Sequence, residues 1–123
     1  MKILIIDDEP GICDMLVEMC QLESEDFRVE QAQSAEEAYQ KICDARYDII
    51  ISDVKMRNMD GVELYHKIHA ENRGGMPFVF LSGTPETFWK IPKDAKFFEK
   101  PVKLRILFDY IKEVASQHQA STH

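Results

Sequence analysis

Two spacings of apolar residues alternate along the chain. A short unbroken apolar run, KILII, stands at its start and reads as a strand covered on both faces. Pro10, a residue type favoured in the first helical turn, introduces GICDMLVEMCQL, where Ile12, Leu16, Met19 and Cys20 recur at helical spacing. FRVEQA then alternates as a strand does. SAEEAYQKIC places Ser34 three residues ahead of Glu37, the arrangement of a capping box, and carries Ala35, Ala38, Tyr39 and Ile42 on one face. YDIIISD is a third strand, a helix is predicted over residues 62–70, and ENRGG is a polar turn. MPFVFLSG and AKFFEK supply the fourth and fifth strands. VKLRILFDYIKEVAS follows as an amphipathic helix with Leu104, Leu107, Ile111 and Val114 along one stripe.

Strand and helix alternating five times predict an α/β fold: a parallel sheet doubly wound by helices, since each crossover is right-handed and covers a face. Five units suit the flavodoxin-like strand order 2-1-3-4-5. The weakest unit is the fourth. In GTPETFWKIPKDAK, Thr84 and Pro85 suit a helix start, but Pro92 ends any helix after about two turns, roughly 9 to 10 Å. The fourth helix is therefore expected to be shortened or irregular. Phe88, Trp89 and Ile91 within it either cap the core or form an exposed apolar patch.

Composition narrows the class. The 123 residues suit one domain, expected over 1–116, followed by a polar tail, QHQASTH, over 117–123. A formal charge of −7, from 15 Lys and Arg against 22 Asp and Glu, argues against direct nucleic-acid binding and against anionic lipid. The apolar start is too short for a signal peptide or a membrane span, so no membrane insertion is expected. Cys13, Cys20 and Cys43 form no CxxC and read as reduced thiols, mostly buried, of a cytoplasmic protein.

The strand order decides the chemistry. In it the carboxyl ends of strands 1 and 3 are neighbours, which brings Asp7, Asp8 and Glu9 beside Asp53. Such a cluster repels itself unless a cation neutralises it, and a hard divalent ion such as Mg2+, which takes one or two carboxylates and keeps several waters, fits. Alone, DDEP is equally well an acidic helix start, with its carboxylates at the positive end of the macrodipole. The other strand ends shift that balance. Strand 4 finishes in FLSG, with Ser82, and strand 5 in FFEKP, with Lys100. Acids, a hydroxyl and a lysine on different strand ends of one edge make a phosphoryl-transfer site, with Asp53 as carboxylate nucleophile.

In IIDDE, SDVKMRNMDG, LSG and FFEKP, spread over nearly the whole chain from Lys2 to about Ser116, the sequence resembles the receiver domain of two-component response regulators. The resemblance implies that Asp53 is the phosphoacceptor, that Asp8 binds Mg2+ directly and Asp7 through water, and that the Lys55 carbonyl is a further metal ligand. It makes Ser82 the switch hydroxyl, Lys100 the conserved-type lysine before a cis proline bond, and Phe97 the aromatic switch position, here without a hydroxyl. The implied protein is no enzyme but a switch. It takes a phosphoryl group from a histidine kinase or phosphotransfer protein and presents a changed surface on the fourth helix, fifth strand and fifth helix to an unknown downstream protein.

Two departures stand out. Arg57 occupies a position where the family usually has proline, and Lys55 and Thr84 stand at the positions that tune phosphoryl lifetime. Only 14 residues separate Ser82 from Phe97, fewer than in most receivers. Two other readings use the same residues: a receiver-like binding module that signals without phosphorylation, and a Mg-dependent phosphohydrolase with an aspartyl-phosphate intermediate. The second is disfavoured because DDE is not the DxD that phosphohydrolases of that chemistry carry and no cap segment is present.

Overall fold

The computed structural model describes residues 1–121. Five parallel strands, β1 (Lys2–Ile6), β2 (Arg28–Ala32), β3 (Ile49–Asp53), β4 (Phe78–Ser82) and β5 (Lys96–Glu99), form one sheet in the order β2-β1-β3-β4-β5. Around it lie α1 (Pro10–Glu23), α2 (Ala35–Asp44), α3 (Gly61–Ala70) and α4 (Leu104–Ser121). This is the predicted α/β doubly wound architecture and the predicted order.

Alternation along the central strands divides the interior into two cores. Leu4, Ile6, Ile50, Phe78 and Phe80 point to the side covered by α2 and α3. Ile3, Ile5, Ile49, Ile51, Val79 and Leu81 point to the side covered by α1 and α4. Because both faces are covered, the strands read as continuous apolar runs rather than alternating ones. The register pairs Ile6 with Ser52, Asp53 with Leu81 and Ser82 with Glu99, so β1, β3, β4 and β5 end along one edge of the sheet.

Local signals set the helix starts. The Ser34 hydroxyl accepts from the Glu37 amide at 3.0 Å, while the Glu37 carboxylate accepts from the Gln33 amide, one residue earlier than in a standard capping box. Asp60 caps α3 by accepting from the Glu63 amide at 2.8 Å. In α1 the buried residues are Cys13, Leu16 and Cys20, and Met19, expected on that face, is 40% exposed. It lies on the flank of the stripe, four residues after exposed Met15. The stripe of α4 holds: Leu107, Ile111 and Val114 are buried and Leu104 packs against them. The α4 backbone remains helical to Ser121 through most of the polar stretch 117–123, whose last two residues lie outside the described ones.

Between β4 and β5 there is no α-helix. Pro85–Lys90 form a 3-10 helix that ends before Pro92, as the two prolines predict. The apolar side chains here divide. Phe88 packs on Phe97 with ring centroids 4.8 Å apart, Ile91 packs on the α2–α3 core, and Trp89 is 79% exposed. The segment is also tied to α3: the Tyr65 hydroxyl donates to Asp94 at 2.9 Å, and Lys90 lies 3.8 Å from Asp60.

Candidate functional site

The three strand-end acids Asp7, Asp8 and Asp53 come together. One carboxylate oxygen from each lies within 4.8 Å of the others, the one such group of potential metal ligands among the described residues. Asp7 is buried, and Asp8 and Asp53 are half-buried. Glu9, expected beside Asp53, is not in this group. It is the N-cap residue of α1 and is exposed, because the chain has already turned away from the sheet edge at that point.

Lys100 supplies the positive charge. Its ammonium lies 3.2 Å from the Asp53 carboxylate and 3.9 Å from that of Asp7. The Lys100 amide donates to the Ser82 carbonyl at 2.9 Å, fixing the backbone that carries the lysine to the end of β4, and the Lys100–Pro101 bond is cis. Burial nonetheless dominates the electrostatics. Asp53 is pushed up to about 6, by burial first and by its acidic neighbours, against the lowering pull of Lys100. Asp7 is raised for the same leading reason, opposed by a hydrogen bond from the Glu9 amide and by Lys100.

The surrounding backbone is specific to this geometry. The Arg57 amide donates to the Asp8 carboxylate at 3.3 Å, a bond that a proline at this position could not make. Gly61 packs directly on the end of β3. A Cβ there would stand 2.3 Å from the Asp53 carbonyl oxygen and 2.7 Å from the Ser52 hydroxyl, and the Gly61 amide donates to the Val54 carbonyl at 2.8 Å. Neither contact was foreseen from sequence. For Gly61 a signal existed in the Asp-Gly pair that opens α3, whereas nothing in the letters RNM indicates where the Arg57 amide points.

Ser82 is buried at the end of β4, and its hydroxyl is engaged with the following turn, accepting from the Thr84 amide at 3.2 Å and donating to the Thr84 carbonyl at 3.4 Å. Lys55 lies exposed in the loop after β3, and Phe97 is half-buried against the α2–α3 core. Beside the acids a cavity of about 540 Å³ opens between α1 and the β5–α4 connection, lined by Ile12, Met15, Leu16 and Val102, with Asp7 and Lys100 in its wall.

These donors fit a hard divalent cation such as Mg2+. All three are carboxylates, and they converge from two adjacent strand ends. No described helix is long and apolar enough to cross a membrane.

Comparison with known proteins gives one answer. Residues 3–112 match the family model of the response regulator receiver domain. The chain is 41% identical over 86 residues to the uncharacterized transcriptional regulatory protein YesN of Bacillus subtilis, covering 69% of this chain and 23% of that protein. It is 29% identical over 124 residues to the transcriptional regulatory protein GlrR of Escherichia coli, covering 98% and 27%. A solved CheY-like receiver domain from Methanospirillum hungatei superposes with a TM-score of 0.78 at 31% identity, covering 97% of each chain. The chain thus spans about a quarter of the length of these two transcriptional regulators. It belongs to the response regulator receiver domain family.

Proposed function

We infer that the chain is a phosphorylation-dependent switch in which Asp53 accepts a phosphoryl group from the phosphohistidine of a histidine kinase or phosphotransfer protein. The observation that carries this reading is the Asp53 carboxylate, half-buried among acids yet held 3.2 Å from the Lys100 ammonium. The apolar cavity beside Asp7 and Lys100 gives a donor protein somewhere to seat while its phosphohistidine reaches Asp53.

A carboxylate oxygen of Asp53 attacks phosphorus as the phosphorus–nitrogen bond breaks, and the imidazole leaves with the bonding electrons. Asp8, Asp53 and the Lys55 carbonyl would hold Mg2+, with Asp7 holding a water of its shell. A bound Mg2+ supplies charge neutralisation for the transferred oxygens. Lys100 is already placed to pair with a phosphoryl oxygen on Asp53. Ser82 is not: its hydroxyl must give up the Thr84 carbonyl to donate to that oxygen, and Gly83 and Thr84 move with it. That coupling links the acceptor to the β4–β5 segment. Phe97 carries no hydroxyl, so a change at its position acts through burial alone.

The domain proper is assigned to 1–116, the downstream partner to another protein, and the compartment to the cytoplasm, where such donors and reduced thiols are found. The chain acts as acceptor rather than as a turnover enzyme, though it takes part in its own phosphorylation and dephosphorylation.

Intact mass after incubation with acetyl phosphate, with and without Mg2+, tests the reading. The expected result is one Mg2+-dependent phosphoryl adduct on the wild type and none on Asp53→Asn. An adduct retained in that variant would refute the assignment of Asp53. No adduct on wild type under conditions that trap a short-lived phosphoryl group would favour the phosphorylation-independent module.

A further inference from the structure

Charge is unevenly distributed along this acidic chain. Between Lys90 and Arg105 there are six cations, Lys90, Lys93, Lys96, Lys100, Lys103 and Arg105, against two acids, Asp94 and Glu99. That leaves 9 of the 15 basic residues and 20 of the 22 acids for the rest of the molecule. Some of the six are occupied. Lys100 faces Asp53, and Arg105 reaches Glu23 at 2.9 Å and Asp109 at 3.4 Å. Asp94, one of the two acids, is taken by the Tyr65 hydroxyl.

Of the remaining lysines, Lys90, Lys93 and Lys96 are exposed near the edge of the sheet. β5 is an edge strand, and Lys90, Lys93 and Lys96 lie on it or on the segment leading into it. Lys96 rests over the rings of Phe98 and Tyr110 at 5.5 and 5.4 Å, on the α1–α4 side of the sheet, Lys90 lies 3.8 Å from Asp60 and 6.0 Å from the centre of the Trp89 ring, and Lys93 has no ion-pair partner among the described residues. Trp89 leads this series and is the most exposed large apolar side chain among the described residues. The indole does not stand on a loose loop. Phe88 on Phe97, Ile91 on the core, and Tyr65 on Asp94 hold the backbone on both sides of it, so little ordering remains to be done when it is covered.

We propose that Trp89, with the Lys90 and Lys93 ammonium groups that follow it on the segment leading into β5, docks an acidic segment of a partner protein bearing a large apolar side chain for the indole. An exposed tryptophan beside lysines is the composition of an interface anchor with a steering rim. A second copy of this chain is the weaker occupant: its acids lie elsewhere on the surface, so the contact would be head-to-tail and would close only in a ring or propagate as a filament. Nucleic acid is disfavoured by the net charge of −7. The docking stands on these exposed residues and needs no phosphoryl group on Asp53, so it is testable on the unphosphorylated chain.

Trp89 is the single tryptophan, and its emission reports burial directly. The probe is a fluorescein-labelled synthetic peptide rich in Glu and Asp, with Leu and Phe spaced one helical turn apart. Its controls are the same peptide with every acid replaced by Lys, the same with Leu and Phe replaced by Ser, and a single-stranded oligonucleotide. The acidic apolar peptide is expected to shift Trp89 emission to the blue and raise peptide anisotropy, with binding weakened by salt. Anisotropy should show a loss of affinity of about tenfold or more in Trp89→Ala and in Lys90→Glu/Lys93→Glu. No binding up to about 1 mM peptide, a regime in which even weak specific contacts are populated, would overturn the proposal. So would equal binding by the variants, by the Lys peptide or by the oligonucleotide, or a blue shift produced by raising the protein concentration alone.

Discussion

At Asp53, burial and a neighbouring ammonium pull in opposite directions, and burial prevails, leaving the carboxyl at about 6 against 3.8 for the free group. Between those values the folded chain holds a proton that the unfolded chain releases. The stability contributed by the protonated carboxyl is therefore complete below pH 3.8 and is lost as pH rises through about 6. Asp53→Asn, which cannot ionise, should then be more stable than wild type at pH 7 without divalent ions, by up to about 3 kcal/mol, and equal to it near pH 3.5. Urea unfolding followed by circular dichroism at the two pH values checks this; a variant less stable at pH 7 would mean that the Lys100 ion pair outweighs burial. The thiols make a second case. Burial pushes Cys13 and Cys20 up to about 11, and the Cys13 sulfur is held on the Asp7 carbonyl at 3.3 Å. A thiol reagent at pH 8 should modify Cys43 in the native protein and all three only in urea, as counted by mass.

The junction of β3 and α3 is the element on which the site depends most closely. Gly61→Ala drives a methyl into the Asp53 carbonyl, so β3 or α3 must shift, at a cost of about 1 to 3 kcal/mol. Chemical denaturation should show that loss, and, with Asp53 as the proposed acceptor, the variant should take up phosphoryl groups more slowly because the backbone at Asp53 has moved. Tyr65→Phe removes one tie between α3 and the β4–β5 segment and should cost about 1 kcal/mol with the fold intact. Elements of this kind divide what was legible in the sequence from what was not. β1, β3 and β4 were plain because strands buried on both faces have little choice but to be apolar, and the prolines at 85 and 92 announced the shortened fourth helix. The convergence of Asp7, Asp8, Asp53 and Lys100 followed from strand order alone. Glu9 was misplaced because by the third residue past the end of β1 the chain has already turned into α1 and the side chain faces solvent, and Met19 because spacing marks a helical face without marking how far across it burial extends. The Arg57 amide and the separation of Trp89 from Phe88 and Ile91 depend on backbone orientation in irregular segments, where no periodicity exists to be read.

Across the whole molecule, stability rests on two cores that meet only through the sheet. Ile50→Ala on one side and Leu107→Ala on the other should each cost about 2 to 5 kcal/mol, and the double variant should lose close to the sum, measured by denaturant unfolding. Mg2+ binding should raise the melting temperature of the wild type, by the equivalent of about 2.7 kcal/mol at a hundredfold excess over its dissociation constant, and should leave Asp8→Ala nearly unmoved. Separate cores have a historical consequence as well. A substitution accumulated under α2 and α3 asks for no compensating change under α1 and α4, provided the strands keep their register. Lineages can then drift on one side of the sheet at a time, trying new outer surfaces while the acids at its edge stay in place.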